Sequence, residues 1–187
     1  MRILAISGSL RRDSHNTKLL RAAAGLLPPG AELDLLEPDA LRAIPHYDED
    51  LREAGEPAAV TALRERIAGA DAVLVSTPEY NHSLPSALKN AIDWLSRPLA
   101  DSPFQGKDTV VVGASTGMFG AVWAQAEARK VLGAVGARVS DAELPVGHAG
   151  EQFAPDGSLV DGDLGDALAA HLAALVPAAD RGLPLAA

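Results

Sequence analysis

The stretch R-I-L-A-I-S-G-S-L-R-R-D-S-H-N-T-K-L-L, Arg2 to Leu20, decides how the rest of the chain is read. Ile3 to Ile6 is an apolar run of the length of a buried strand. The pattern breaks at Gly8 and resumes with Leu19 and Leu20 as a helix. Between them lies a loop of small hydroxyl and amide side chains, Ser7, Ser9, Ser14, Asn16 and Thr17, beside Arg11 and Arg12. A strand feeding a helix through such a loop aims several N–H groups and the positive end of the helix dipole at one spot, which suits a phosphate. The bland alternative is an N-cap at Ser14 or Asn16 with two solvated arginines. Two better-known phosphate loops are excluded. The P-loop needs G-x-x-x-x-G-K-[ST] and the dinucleotide fingerprint G-x-G-x-x-G, but after Gly8 the next glycine is Gly25.

Outward from that stretch, strands and helices alternate. A helix is predicted from His15 to Leu27, stopped by Pro28, Pro29 and Gly30, then a strand over Glu32–Glu37. Ile44 to Leu51 reads as an ordered loop and Pro57–Ala68 as a helix. A third strand, Asp71–Thr77, leads into a helix over Pro85–Ser96. A fourth, Thr109–Ala114, leads into a long helix over Phe119–Val135. Arg138–Leu144 is the expected fifth strand and Asp163–Val176 the last helix. Gly147–Gly162 reads as surface, and residues 177–187 as a flexible tail after one domain over residues 1–176.

Five alternations imply a doubly wound parallel sheet with helices on both faces and right-handed crossovers. For the order 2-1-3-4-5, ligands sit beyond the carboxyl ends of the strands, at the switch between the first and third. The three chemically unusual loops follow strands one, three and four, so they converge on one edge. The second loop, Pro78-Glu79-Tyr80-Asn81, offers a fixed turn, a flat ring and paired amide groups. The third, Ser115-Thr116-Gly117, offers two hydroxyls and close backbone approach. A planar heterocycle between loops two and three, with its phosphate in loop one, fits these parts.

Composition narrows the classes. A chain of 187 residues, 48% apolar and 22% charged, can bury roughly 70% of its unfolded surface in one core. It has no cysteine, which removes disulfides, thiolate metal sites and a cysteine nucleophile. A net charge of -9 argues against a nucleic-acid surface. No apolar run approaches the ~20 residues of a membrane span, and the chain opens directly on a strand, so a cytoplasmic location is expected. The five histidines are scattered without the H-E-x-x-H spacing, and the D-G-D at Asp161 does not match a calcium loop, so no metal site is expected.

G-S-L-R-x-x-S-x-N at Gly8–Asn16, together with P-E-Y-N-x-S-x-P-x-x-L-K-N-A-I-D-W at Pro78–Trp94, resembles the NADPH-dependent FMN reductase family, with its bacterial quinone, chromate and azo reductases. The resemblance runs from Ile3 to about Leu144. It implies a flavodoxin-like fold and bound FMN, with the phosphate on Ser9, Arg11, Ser14, Asn16 and Thr17. The ring would meet Pro78, Glu79, Tyr80 and Asn81 on one side and Ser115, Thr116 and Gly117 on another. NADPH or NADH would donate hydride, and a quinone or similar small molecule would accept the electrons. No side chain need then act as an obligate acid or base. The chain departs from several relatives in carrying Met118-Phe119-Gly120 where they have a Gly-Gly or Gly-Arg run, which leaves the substrate side open.

Three other readings compete. Gly113-Ala114-Ser115-Thr116-Gly117 is a literal G-x-S-x-G, with Asp141 or Asp161 and His148 or His171 downstream as triad partners of an α/β serine hydrolase. A non-enzymatic flavodoxin-type electron carrier would sandwich the flavin with aromatics, but this chain is only 4% aromatic. A signalling receiver would want aspartates where Ser7-Gly8-Ser9 stands. Finally, the Phe119–Val135 helix shows one apolar face with Phe119, Val122, Trp123 and Ala126, and another with Ala121, Ala124, Ala128, Val131, Leu132 and Val135. Two such faces predict a second cover, and hence a homodimer or homotetramer.

Overall fold

The computed structural model describes residues 1–176; the tail expected over 177–187 lies outside them. The elements in chain order are β1 (Arg2–Ser7), α1 (His15–Ala24), β2 (Glu32–Leu36), α2 (Pro38–Arg42), α3 (Glu49–Ala54), α4 (Ala58–Ala68), β3 (Ala72–Thr77) and α5 (Ser86–Leu95). After a single 3-10 turn, Leu99–Asp101, come β4 (Asp108–Ala114), α6 (Val122–Ala134), β5 (Arg138–Val139), β6 (Pro145–Val146) and α7 (Gly162–Leu175). The sheet runs β2-β1-β3-β4-β5, parallel throughout, with β6 also pairing β4. This is the flavodoxin-like order expected from the sequence.

Side chains alternate across the central strands, as a sheet covered on both faces requires. Leu4, Ile6, Val73, Val75 and Val111 pack with α2, α4, α5 and α6. Ile3, Ala5, Ala72, Leu74, Val110 and Val112 pack with α1 and α7. Among the described residues, no helix is long and apolar enough to cross a membrane.

The fifth strand departs from expectation. Arg138–Leu144 is not continuous: two residues pair at Arg138–Val139, the chain leaves the ladder, and pairing resumes at Pro145–Val146. Asp141, Ala142 and Glu143 are exposed and lack the alternation a strand needs. Two side chains of α6 hold the departing segment. Gln125, fully buried, accepts the Leu144 N–H at 3.2 Å through Oε1, and Arg129 pairs with Glu143.

Smaller corrections have local causes. Pro38 does not merely end a strand but opens α2 as its first residue, the position where a missing N–H costs nothing. The expected loop Ile44–Leu51 contains the start of α3, capped by Asp48 Oδ1 accepting from Asp50 N–H at 2.9 Å. The long helix begins at Val122 and not Phe119, because Gly120 and Ala121 have φ of 55° and 61°. Its Ala-rich side is the one on the sheet, with Ala124, Ala128 and Leu132 buried. Phe119 and Trp123 face outward.

Candidate functional site

The ladder registers bring three strand ends level. Ser7 lies opposite Ser76, Ser76 opposite Val112, and Thr77 opposite Gly113. The loops after β1, β3 and β4 therefore leave the sheet side by side at its carboxyl edge, where such sheets bind ligands.

The first loop turns at Gly8, whose N–H donates to the Ser76 carbonyl at 2.8 Å. Only glycine fits without displacement: a Cβ there would lie 3.1 Å from both Leu88 Cδ2 and Pro85 Cγ and 3.3 Å from Pro78 Cδ. Loop one is thus wedged against loop two and the start of α5. Ser14 caps α1, its Oγ accepting the Thr17 N–H at 3.2 Å. Ser9 Oγ accepts the Arg11 N–H at 3.3 Å, and Ser7 Oγ accepts from Ser9 N–H at 3.3 Å and the Thr17 hydroxyl at 3.1 Å. These acceptors shape the loop, while the Ser9 and Ser14 hydroxyl protons remain available. The N–H groups of His15 and Asn16, in the first turn of α1, find no acceptor among the described residues. Nor do Arg11 and Arg12 form an ion pair there. Free amides, hydroxyl protons and unpaired guanidinium groups at a helix N-terminus form the donor set that a phosphate uses.

Asn16 has a different place from the one its position in the loop suggested. Its buried Nδ2 donates to the Ala114 carbonyl at 2.9 Å, and Oδ1 accepts from Ala114 N–H at 3.0 Å and the Ser76 hydroxyl at 2.8 Å. The carboxamide stitches α1 to β3 and β4, so Asn16 offers the cleft its backbone N–H. Thr17 is likewise turned inward, onto Ser7.

Loop two is a tight hairpin. Tyr80 and Ser83 exchange backbone hydrogen bonds at 3.2 and 3.1 Å, and Asn81 and His82 between them have φ of 54° and 60°, as a type I′ turn demands. Two carboxylates fasten it to α6. Glu79 Oε2 accepts the Trp123 and Ala124 N–H groups, each at 3.1 Å, and so caps a helix whose own N-cap residue supplies no side-chain bond. Glu127 Oε2 in turn accepts from the Ser83 hydroxyl at 2.6 Å and Leu84 N–H at 3.1 Å, bonds that hold its carboxyl below the usual range. Tyr80 is left exposed on a rigid support.

Loop three is backed by the segment after β6. Ser115 N–H donates to Val146 O at 3.0 Å, His148 N–H to Gly117 O at 3.2 Å, and Ala149 N–H to Ser115 O at 3.0 Å. A Cβ on Gly147 would sit 2.4 Å from Met118 O, so the two segments touch backbone to backbone. Part of Gly147–Gly162 is therefore not surface but a backing to loop three, with Ala149 buried completely.

Ser9, Arg11, Ser14 and Asn16, then Pro78, Glu79 and Tyr80, then Ser115 and Thr116, line one cleft of about 150 Å³. Thr17, Asn81 and Gly117 stand back from its wall. His15 and Ala114 line it too, though the sequence reading passed over both. Burial, and the nearby Lys18 and Arg11 charges, lower the His15 pKa and favour the neutral ring. Among the described residues no histidine ring nitrogen is hydrogen-bonded to Ser115 Oγ, which accepts instead from Gly117 N–H at 3.1 Å. The hydrolase reading has no base in place.

The chain is 41% identical over 176 residues to an NAD(P)H-dependent FMN reductase of Pseudomonas aeruginosa, covering 94% of this chain and 93% of the relative. It is 41% identical over 133 residues to a quinone reductase of Escherichia coli K12, covering 71% and 69%. Among solved structures, the flavoenzyme FerB of Paracoccus denitrificans, an NAD(P)H:(acceptor) oxidoreductase, superposes with a TM-score of 0.81 at 37% identity, covering 93% of this chain and 94% of FerB. The family model described as NADPH-dependent FMN reductase matches residues 1–151, and the chain belongs to that family.

Proposed function

We propose that residues 1–176 form one flavin-binding domain of an NAD(P)H:quinone oxidoreductase that works through FMN. The observation that carries this reading is the convergence of three loops on one cleft at the switch point of the sheet, with free N–H groups and the unpaired Arg11 at its loop-one end. FMN held there would supply the redox chemistry between a nicotinamide donor and the acceptor. The chain holds and orients. Ser9, Arg11 and Ser14, with the amides of His15 and Asn16, take the phosphate; Thr17 supports them from below. Pro78, Glu79 and Tyr80 present the hairpin side to the ring, and Asn81 shapes the turn behind them. Ser115 and Thr116 face it from the loop after β4, and Gly117 steadies Ser115 through its N–H.

At about 150 Å³ the cleft is smaller than the roughly 300–1,000 Å³ of sites that enclose a ligand. The cleft is therefore open on the side between Tyr80 and Thr116, which would leave room for donor and acceptor to take turns there. This favours two half-reactions at one site. It also favours a second copy of the chain as a cover. Met118, Phe119 and Trp123 are 66%, 55% and 41% exposed beside loop three. Trp123 makes edge contacts with Phe119 at 5.0 Å and His82 at 4.6 Å, forming one aromatic patch. We place a homodimer or homotetramer contact there, and the enzyme in the cytoplasm with its coenzyme.

The test is the absorption spectrum of the purified protein before and after added FMN, followed by bleaching of the flavin bands with NADPH and their return with a quinone. A colourless preparation that takes up no FMN overturns the reading.

A further inference from the structure

A second, larger cavity opens beside the cleft, and His15 lines both. It measures about 490 Å³, within the range of about 300–1,000 Å³ typical of small-molecule sites. One wall is α1, where His15, Lys18 and Arg21 follow one another at intervals of three residues and share a flank of the helix. Facing them is the hairpin closed by the Phe153–Leu159 bridge, which brings up Phe153 and Asp156. That hairpin is well held. Ala154 N–H donates to Ser158 O at 2.9 Å, and Val160 N–H to Gln152 O at 3.0 Å. Ser158 fixes the Asp156 carboxylate through its N–H at 3.0 Å and hydroxyl at 2.7 Å.

Each part matches a piece of a phosphorylated nucleoside. Arg21 is in no ion pair among the described residues, while Lys18 holds only the exposed Asp13, at 2.7 Å. Both can turn to a phosphate. Phe153 lies nearly parallel to the His15 ring, at 6.2 Å and 12°, a flat apolar surface for a purine. Asp156 accepts from a ribose hydroxyl or an exocyclic amine. From His15 to Arg21 the helix rises about 9 Å, so the cavity leads directly away from the phosphate end of the cleft.

We propose that this cavity is a subsite for a phosphorylated adenosine, recognised by Arg21 and Lys18 through its phosphate and by Phe153 through its base. The proposal rests on the FMN reading of the adjoining cleft. Two molecules bring that chemistry to a flavin site: NADPH, through its adenosine 2′-phosphate end, and FAD, through its adenylate half.

The experiment starts from FMN-loaded protein whose flavin absorption has been verified, so that a failure to bind FMN is seen before any nucleotide is added. Calorimetric titration with 2′,5′-ADP should then give a saturable heat with the flavin still bound. Arg21→Glu, at an exposed position, should weaken that binding tenfold or more and leave FMN affinity unchanged. If NADPH is the source, NADPH displaces 2′,5′-ADP, and Arg21→Glu raises KM for NADPH but not for NADH. If FAD is the source, flavin-free protein binds FAD more tightly than FMN, and Arg21→Glu removes the difference. Either pattern supports the subsite. No heat with the loaded protein, equal affinity in Arg21→Glu, or a site that neither NADPH nor FAD competes for overturns it.

Discussion

Replacing Asn16 by alanine tests how the site is assembled. The Asn16 carboxamide makes three bonds, to Ala114 O at 2.9 Å, Ala114 N at 3.0 Å and Ser76 Oγ at 2.8 Å, and the residue is buried. Truncation leaves the Ala114 N–H and C=O unpaired in the interior, at about 1–3 kcal/mol each, while the Ser76 hydroxyl can rotate to another acceptor. The sum is about 2–6 kcal/mol, reduced where water fills the gap. Against a total stability of about 5–15 kcal/mol this is large. At about 2–4 °C per kcal/mol for a chain of this length, the flavin-free protein should melt about 5–20 °C lower. Thermal denaturation followed by circular dichroism measures it. Asn16→Asp adds a second reading. It keeps both acceptor bonds but turns an oxygen toward the Ala114 carbonyl, so its deficit relative to the parent should shrink as acid protonates the carboxyl and restores a donor. A melting shift under 2 °C in Asn16→Ala, or a deficit in Asn16→Asp that ignores pH, would refute the reasoning.

Four further outcomes follow from the same contacts. Arg11→Ala combined with Ser14→Ala should weaken FMN binding at least tenfold per lost charge-assisted contact, with about 1 kcal/mol of stability lost with the cap; equal FMN affinity would place the phosphate elsewhere. Gly147→Ala puts a Cβ 2.4 Å from Met118 O and should displace loop three, so fluorescence titration should find FMN binding impaired; parental affinity would show that the loop yields freely. Trp123→Asp should shift the light-scattering mass of the oligomer toward the monomer, and an unaltered mass removes that face from the contact. Arg64, bonded to Glu56 at 2.6 and 3.2 Å, holds the Glu56 carboxyl below its usual range against the opposing effect of burial. A folded pKa below the unfolded value of about 4.3 means that the stabilisation is full above that pH and is lost as pH falls through the folded value. Glu56→Gln should therefore flatten the acid side of the stability curve, and an identical acid slope would contradict the assignment.

The sheet and the edge that carries the site were legible in the sequence for a plain reason. Strands buried on both faces must be continuous apolar runs, as in Ile3–Ile6 and Ala72–Val75, and the loops between such strands and their helices need small, polar and cap-forming residues. Those requirements act within a few residues of chain, so they leave a local mark. Five strand–helix alternations then allow few topologies, and the order 2-1-3-4-5 follows with its switch point.

What the tertiary structure alone decided involves partners far apart in the chain. Asn16 reaches residues 60 and 98 positions away, Glu79 caps a helix 44 residues on, and Gln125 takes the Leu144 N–H and breaks the fifth strand. No propensity or spacing encodes such bonds, because each depends on which backbone groups the packing leaves unpaired. The same holds for His15, which no motif marks, and for the cavity it shares with Phe153. A loop read as surface becomes the backing of loop three only when Gly147 meets Met118 across the sheet edge.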